Sequence, residues 1–216
     1  MSEIHQDKKE LLIEVAERLF AEHGFEGTSV RLLASEANMN IAMISYYFGS
    51  KEKMMEAILD RRSALNRENF IKISEMPNAS SWQKIEAVID LYVDMMSGNR
   101  NFHKIMFREV ALSQREELTS KIAQFVAGNM QNIKKVIQGG VDNGDFKQVD
   151  VPMLMSTLVG TISQTLNYSK LSEQILGVYE NHEKVSETEI LIRLKMHLKE
   201  VFRFILKAPV PTLSPN

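Results

Sequence analysis

The chain has 216 residues, 44% hydrophobic and 25% charged, with a net charge of −2 and no cysteine. That allows one or two domains with a sizeable core, and it excludes disulfides, thiolate catalysis and zinc–thiolate sites. No apolar run reaches the roughly 18 residues of a membrane span, and the N-terminus MSEIHQDKKE lacks the apolar stretch of a signal peptide, so a cytoplasmic protein is expected.

Nearly every segment reads as helix. Residues 7–23 place Leu11, Leu12, Val15, Ala16, Leu19 and Phe20 on one face and Glu10, Glu14, Glu17 and Arg18 on the other. Gly24 is expected to end this helix. Thr28 and Ser29 offer caps for a second, whose buried stripe is Val30, Leu33, Ala34 and Ala37. Asn38 suits a left-handed turn position. A third short helix runs from about Ile41 to Phe48, Gly49 breaks it, and Ser50 caps the next. Longer helices follow at about 51–75, 80–97, 100–113, 115–142, 152–173 and 187–206, with a loop around 174–186. Strand-like alternation is nearly absent. The tail APVPTLSPN holds three of the five prolines and is expected to be disordered.

Three short helices with a tight turn between the second and third form a helix-turn-helix unit, in which the helix after the turn enters the major groove. A plain three-helix bundle has the same pattern, and the particular residues decide between them. The pieces AERLFAEHGFEGTSV, LASEANMN and ISYYFGSKEKM, within residues 8–60, resemble the DNA-binding domain of the tetracycline-repressor (TetR/AcrR) family of bacterial transcription regulators. The match covers about a quarter of the chain; GGVDNGDFKQVD also resembles the turn after that family's long central helix.

The resemblance implies an all-α protein: a helix-turn-helix domain in residues 1–50, a helical effector-binding and dimerising domain in 51–207, and a tail in 208–216. It places Asn40, Ile41, Ala42 and Met43 at base edges, and Thr28, Ser29, Arg31, Tyr46, Tyr47 and Lys51 at phosphates. Ser45 stands where the family usually has tyrosine, and Ile41 and Met43 are apolar where a polar residue is usual, so contact with thymine methyls is expected in place of hydrogen-bonded readout.

Partners implied are palindromic operator DNA, a second copy of the chain and a small effector, with no membrane. Dimerisation is expected through Ser156, Gly160 and Ser163 on one helix and Ile190, Leu194, Leu198 and Val201 on another. The thirteen methionines suit an apolar or amphipathic effector, with candidate lining residues Tyr92, Met96, Phe102, His103, Met106, Phe107, Glu109, Met130 and Tyr168. The methionines and aromatics among them also read as ordinary core, and His103 and Glu109 as solvated side chains. No catalytic residue, metal site or cofactor is indicated: the five histidines form no metal spacing, and no nucleophile elbow or phosphate loop occurs. The rival reading is a helical ligand- or protein-binding module whose DNA-binding head is weak.

The head is acidic. Residues 1–55 carry six Lys/Arg against nine Asp/Glu, although between 28 and 51 the balance is Arg31 and Lys51 against Glu36. Binding must then lean on hydroxyls and helix N-termini. The expected slope of log affinity against log salt for one dimer is roughly −4 to −6, well short of the value near −10 of strongly basic binders, and a binding titration over a salt series measures it.

Overall fold

The computed structural model describes residues 3–112, 116–166, 179–180 and 183–207. In chain order the helices are α1 (Glu3–Gly27), α2 (Val30–Glu36), α3 (Ile41–Tyr47), α4 (Lys51–Ser74), α5 (Ser81–Gly98), α6 (Arg100–Leu112), α7 (Glu116–Asp142), α8 (Val151–Leu166) and α9 (Glu187–Lys207). Between α8 and α9 lies a short antiparallel pair, β1 (Tyr179–Glu180) and β2 (Glu183–Lys184), with Tyr179 opposite Lys184. This pair falls in the segment expected to be a loop, since strands of two residues are too short to display an alternation. The architecture is otherwise helical, as expected. Among the described residues no helix is long and apolar enough to cross a membrane. Residues 167–173 of the expected eighth helix, Tyr168 among them, and the tail 208–216 lie outside the described residues.

The chain forms two compact units. The first comprises Met1–Arg67 and Asn99–Asn129. Its core joins Leu12, Ala16, Leu19 and Phe20 of α1 with Leu33 of α2, Ile44 of α3, Met54 and Ile58 of α4, Phe102 and Ile105 of α6, and Ile122 and Phe125 of α7. Leu11, expected inside, is exposed, and Ile13 is buried instead. The apolar stripe of α1 is therefore rotated by part of a turn from the simplest pattern match.

A buried polar cluster crosses this unit. Arg62 of α4 donates two hydrogen bonds to the Glu17 carboxylate of α1, at 2.7 and 2.9 Å. Its guanidinium also donates to Asn99 and lies 5.4 Å from the Phe102 ring centre. A paired, hydrogen-bonded charge is the form in which an ion can be kept inside at tolerable cost. His103 shares the cluster, and its Nε2 is buried without a hydrogen-bond partner.

The second unit comprises Glu68–Gly98 and Met130–Asn216. Ile85, Val88, Ile89 and Val93 of α5 pack with Ile133 and Ile137 of α7, Leu154, Leu158 and Ile162 of α8, and Leu194, Leu198 and Phe202 of α9. Beside this core, α5 and α9 exchange ion pairs: Asp94 with Lys195 at 2.6 Å, Asp90 with Lys199 at 2.7 Å, and Glu86 with Arg203. Both series advance by four residues and run in opposite directions, which fixes the antiparallel register. Such partly exposed pairs contribute little stability each, so register is their main effect. At the end of α7 the ring of Phe146 lies against Gly140, where any Cβ would stand 2.1 Å from a ring carbon. Phe146 also meets Trp82 edge-on at 4.7 Å.

Burial, assisted by the neighbouring Arg62 charge, pulls the His103 pKa down to about 4 from 6.5. The unfolded chain then binds more protons than the folded one between those values, so stability is full above about 6.5 and falls as pH drops toward 4. The expected loss is up to roughly 3 kcal/mol at the acid end. Thermal melts between pH 7.5 and 4.5 should show a steeper fall in Tm for wild type than for His103→Leu.

Candidate DNA-reading head

The head is built by a sharp corner within the last turn of α1. Regular helical geometry breaks at Gly24, where φ is 78°. A Cβ there would be strained by the backbone and would stand 2.6 to 2.8 Å from the guanidinium atoms of Arg108 on α6. Thr28 closes the corner: its hydroxyl lies 2.7 Å from the Gly24 carbonyl oxygen and 3.1 Å from that of Leu19. The side chain is 0% exposed. Thr28 was expected at the phosphate backbone; the structure turns its hydroxyl inward and leaves the cap of α2 to Ser29, whose oxygen accepts from the Leu32 N–H at 3.1 Å. Ser29 and Arg31 are exposed.

Between α2 and α3 the chain turns on Asn38, with φ 52°, as its residue type predicts. The Met39 N–H donates to the Ala34 carbonyl at 2.9 Å, which tightens the turn. Asn40 caps α3, its side-chain oxygen accepting from the Ala42 N–H at 2.9 Å. That oxygen is engaged by the backbone at the position the sequence placed beside a base.

The seven residues of α3 divide cleanly by face. Ile44 and the following Phe48 are buried and anchor the helix. Ile41, Ala42 and Ser45 are exposed, and Met43 is half-buried. Tyr46 is 73% exposed, and its ring meets that of the half-buried Tyr47 edge-on at 5.1 Å. After Gly49, Ser50 caps α4 by accepting from the Lys53 N–H at 3.2 Å.

The charges are largely used internally. Glu36 pairs with Arg18 at 2.7 Å. Lys51 donates to the Phe25 carbonyl at 2.7 Å. The outer surface of the head therefore presents hydroxyls, apolar side chains and Arg31 more than a basic field.

The candidate effector residues do not form one group. Phe102, Met106 and Glu109 are buried in the first unit with the partly buried His103, while Phe107 of α6 is exposed. Tyr92 and Met96 are buried in the second unit, with Met130 half-buried there. Tyr92 packs edge-on against Phe70 at 6.2 Å, and burial raises its hydroxyl pKa. A cavity of about 210 Å³ in the first unit involves none of them: Phe25 and Leu118 give it apolar surface, and Glu52, Glu56, Glu116, Glu117 and Lys121 the charge. Its residues come from three separate segments, which no sequence pattern joins.

On α9, Ile190, Leu194 and Leu198 were expected at a dimer interface. All three are buried within the single chain: Leu194 and Leu198, the latter 0% exposed, belong to the core of the second unit, and Ile190 is buried beside them on the same helix. Val201 and Ser163 are half-buried, and Ser156 and Gly160 are exposed. The outward apolar residues of α8 and α9 are Met153, Ile192, Met196 and Phe204, the last 74% exposed.

Two family models match this chain. Residues 12–58 match "Bacterial regulatory proteins, tetR family", and residues 78–167 match "Tetracyclin repressor-like, C-terminal domain". Among curated relatives, the "Probable HTH-type transcriptional regulator YttP" of Bacillus subtilis is 25% identical over 203 residues, covering 90% of this chain and 94% of the relative. The "Fatty acid metabolism regulator protein" of the same organism is 23% identical over 167 residues, covering 76% and 84%. Among solved structures, the transcriptional regulator FadR from Bacillus subtilis in complex with stearoyl-CoA superposes with a TM-score of 0.65 at 19% identity, covering 93% of this chain and 98% of that one.

Replacing Thr28 by valine keeps the shape and removes the corner hydrogen bond. The expected cost is about 1 to 2 kcal/mol of stability, measured by urea unfolding, with no change in the salt slope of DNA binding because no phosphate contact is lost.

Proposed function

The chain belongs to the tetR family of bacterial regulatory proteins, and from that premise we propose that this DNA-binding transcription regulator is a homodimeric repressor released from its operator by an amphipathic effector. It is a regulator and not an enzyme, as its family is. The observation that carries the reading is the division of α3: Ile44 and Phe48 hold the helix from inside, while Ile41, Ala42 and Met43 stand at its capped, outward N-terminal end. These three side chains meet base edges by apolar contact. Ser29, Arg31, Ser45, Tyr46 and Tyr47 hold the phosphate backbone around them. Residues 1–50 make up the reading head, and the remaining helices form the effector-binding and dimerising part.

Dimerisation uses the outward face of α8 and α9. Met153, Ile192, Met196 and Phe204 are large apolar groups left in water by the single chain on these two helices, and a partner that covers them together would remove that exposure. Gly160 lies on the same helix as Met153 and is exposed, with nothing within 4 Å of the place its Cβ would occupy, so a partner helix can approach closely there.

The effector is a molecule with a long apolar chain and a polar head, of the acyl-CoA class. Support comes from the fatty acid metabolism regulator among the relatives and from stearoyl-CoA in the FadR structure. The methionine-containing core around Tyr92, Met96 and Met130 can adapt to such a chain. The ligand must bind the non-operator conformation more tightly, by about 1.4 kcal/mol for each tenfold loss of operator affinity.

A gel shift with the DNA flanking its own gene tests the whole reading. Wild type should retain that DNA specifically, and stearoyl-CoA, but not free CoA, should release it. Phe204→Glu should give a monomer by light scattering with unchanged helical circular dichroism and lose retention at least tenfold. Wild type that shows no preference for any duplex would instead establish a ligand-binding module with an inactive head. A monomeric Phe204→Glu variant with full retention would remove the dimer from the account.

A further inference from the structure

The start of α4 carries Lys51, whose counterpart position the family resemblance assigns to a phosphate. The side chain is only 15% exposed. Its ammonium donates to the main-chain oxygen of Phe25 at 2.7 Å and lies 4.2 Å from the centre of the Phe25 ring. The Glu26 carboxylate stands 4.0 Å away. A lysine ammonium has three N–H donors and no acceptor. A carbonyl, a ring face and a carboxylate surround it here, so the charge is spent within the protein.

The place of this contact matters more than its strength. Phe25 follows Gly24 directly and packs on Phe20 at 5.1 Å, so it is fixed to the core of the first unit. Lys51 follows α3 after three residues, Phe48, Gly49 and Ser50. The single bond from Lys51 to Phe25 therefore joins the point where the chain enters the helix-turn-helix to the point where it leaves. Both ends of the α2–α3 segment are then held relative to α1. The direction of the outward residues of α3 follows from those two anchors.

We propose that Lys51 serves operator binding as a positioning residue that ties the start of α4 to the Phe25 corner, and not as a phosphate contact. This rests on the reading of α3 as the DNA-facing helix. It also explains how so acidic a head keeps its reading helix in place: the cation is used to fix geometry, and the phosphates are left to hydroxyls, N–H groups and Arg31.

Salt dependence separates the two roles. Each phosphate neutralised by a lysine adds about 0.9 to the magnitude of the slope of log affinity against log salt. Non-operator DNA is held by the same electrostatic term without regard to the aim of α3. Full-length wild type, Lys51→Met and Lys51→Gln are titrated with the operator duplex and a scrambled duplex over a salt series, and their melting temperatures are recorded. A positioning role predicts that Lys51→Met loses about tenfold or more of operator affinity, the scale of one charge-assisted hydrogen bond. Its slope and its affinity for scrambled DNA stay at the wild-type values. Lys51→Gln, whose amide N–H can still reach toward the Phe25 carbonyl, recovers part of the loss, and it gives the same slope comparison should Lys51→Met fail to fold.

Two results would overturn the proposal. One is a slope shallower by about 0.9 per subunit, with operator and scrambled DNA weakened alike, which is the mark of a lost phosphate contact. The other is unchanged operator affinity of the folded variants with only a lower melting temperature, which makes Lys51 a stability residue. Wild type that does not distinguish operator from scrambled DNA would remove the reading of α3 itself, and that failure shows before any variant is compared.

Discussion

The corner between α1 and α2 is the constraint on which the head depends. Gly24 supplies a backbone conformation that a side chain would strain. Thr28 then folds its hydroxyl back onto the carbonyls of Gly24 and Leu19. Lys51 reaches the same corner from the far end of the helix-turn-helix. These contacts are short-range and mostly hidden from water, where a hydrogen bond is stronger and an unsatisfied group more costly. The seven-residue α3 cannot hold its own direction, because short helices are marginal alone. Its aim comes from Ile44 and Phe48 inside and from the fixed ends of the segment.

A regulator that reads DNA through a basic surface gains affinity from counterion release and loses it with salt. Here Arg18 is turned toward Glu22 and Glu36, Arg62 toward Glu17, and Lys51 toward the Phe25 corner. The cations near the head hold the protein together. Around α3 what remains outward is hydroxyl, aromatic and apolar, with Arg31 beside it, which suits positioning mainly by neutral hydrogen bonds and readout by thymine methyl groups.

Much of the fold was legible because its signals are local. Ser29 and Ser50 are caps by residue type, and each accepts the backbone N–H that the type implies; Asn40, read from the sequence only as a base contact, also caps its helix. Asn38 takes the left-handed position for the same reason. The misses share a different cause. Thr28 and Ser29 are both hydroxyl residues before a helix, and only the packing of α1 decides which one turns inward. On α9 more than one face is apolar, so the sequence cannot say whether Ile190, Leu194 and Leu198 or Ile192, Met196 and Phe204 meet water; the position of α5 and its acidic residues settles that. Lys51 sits at a helix start, where a cation is read as free for an anion, and its bond to Phe25 spans 26 positions of sequence. The placement of α6 in the same unit as the head is likewise a long-range fact that no residue of α6 announces.

Readout by the apolar residues of α3 is measured by selecting bound sequences from a random duplex pool and determining the affinity of the enriched site. The expected product is an enriched palindrome of two half-sites, each with thymines opposite Ile41 and Met43, that loses affinity when uracil replaces those thymines. Enrichment of no sequence, or of a single asymmetric site indifferent to the thymine methyl groups, would contradict that readout.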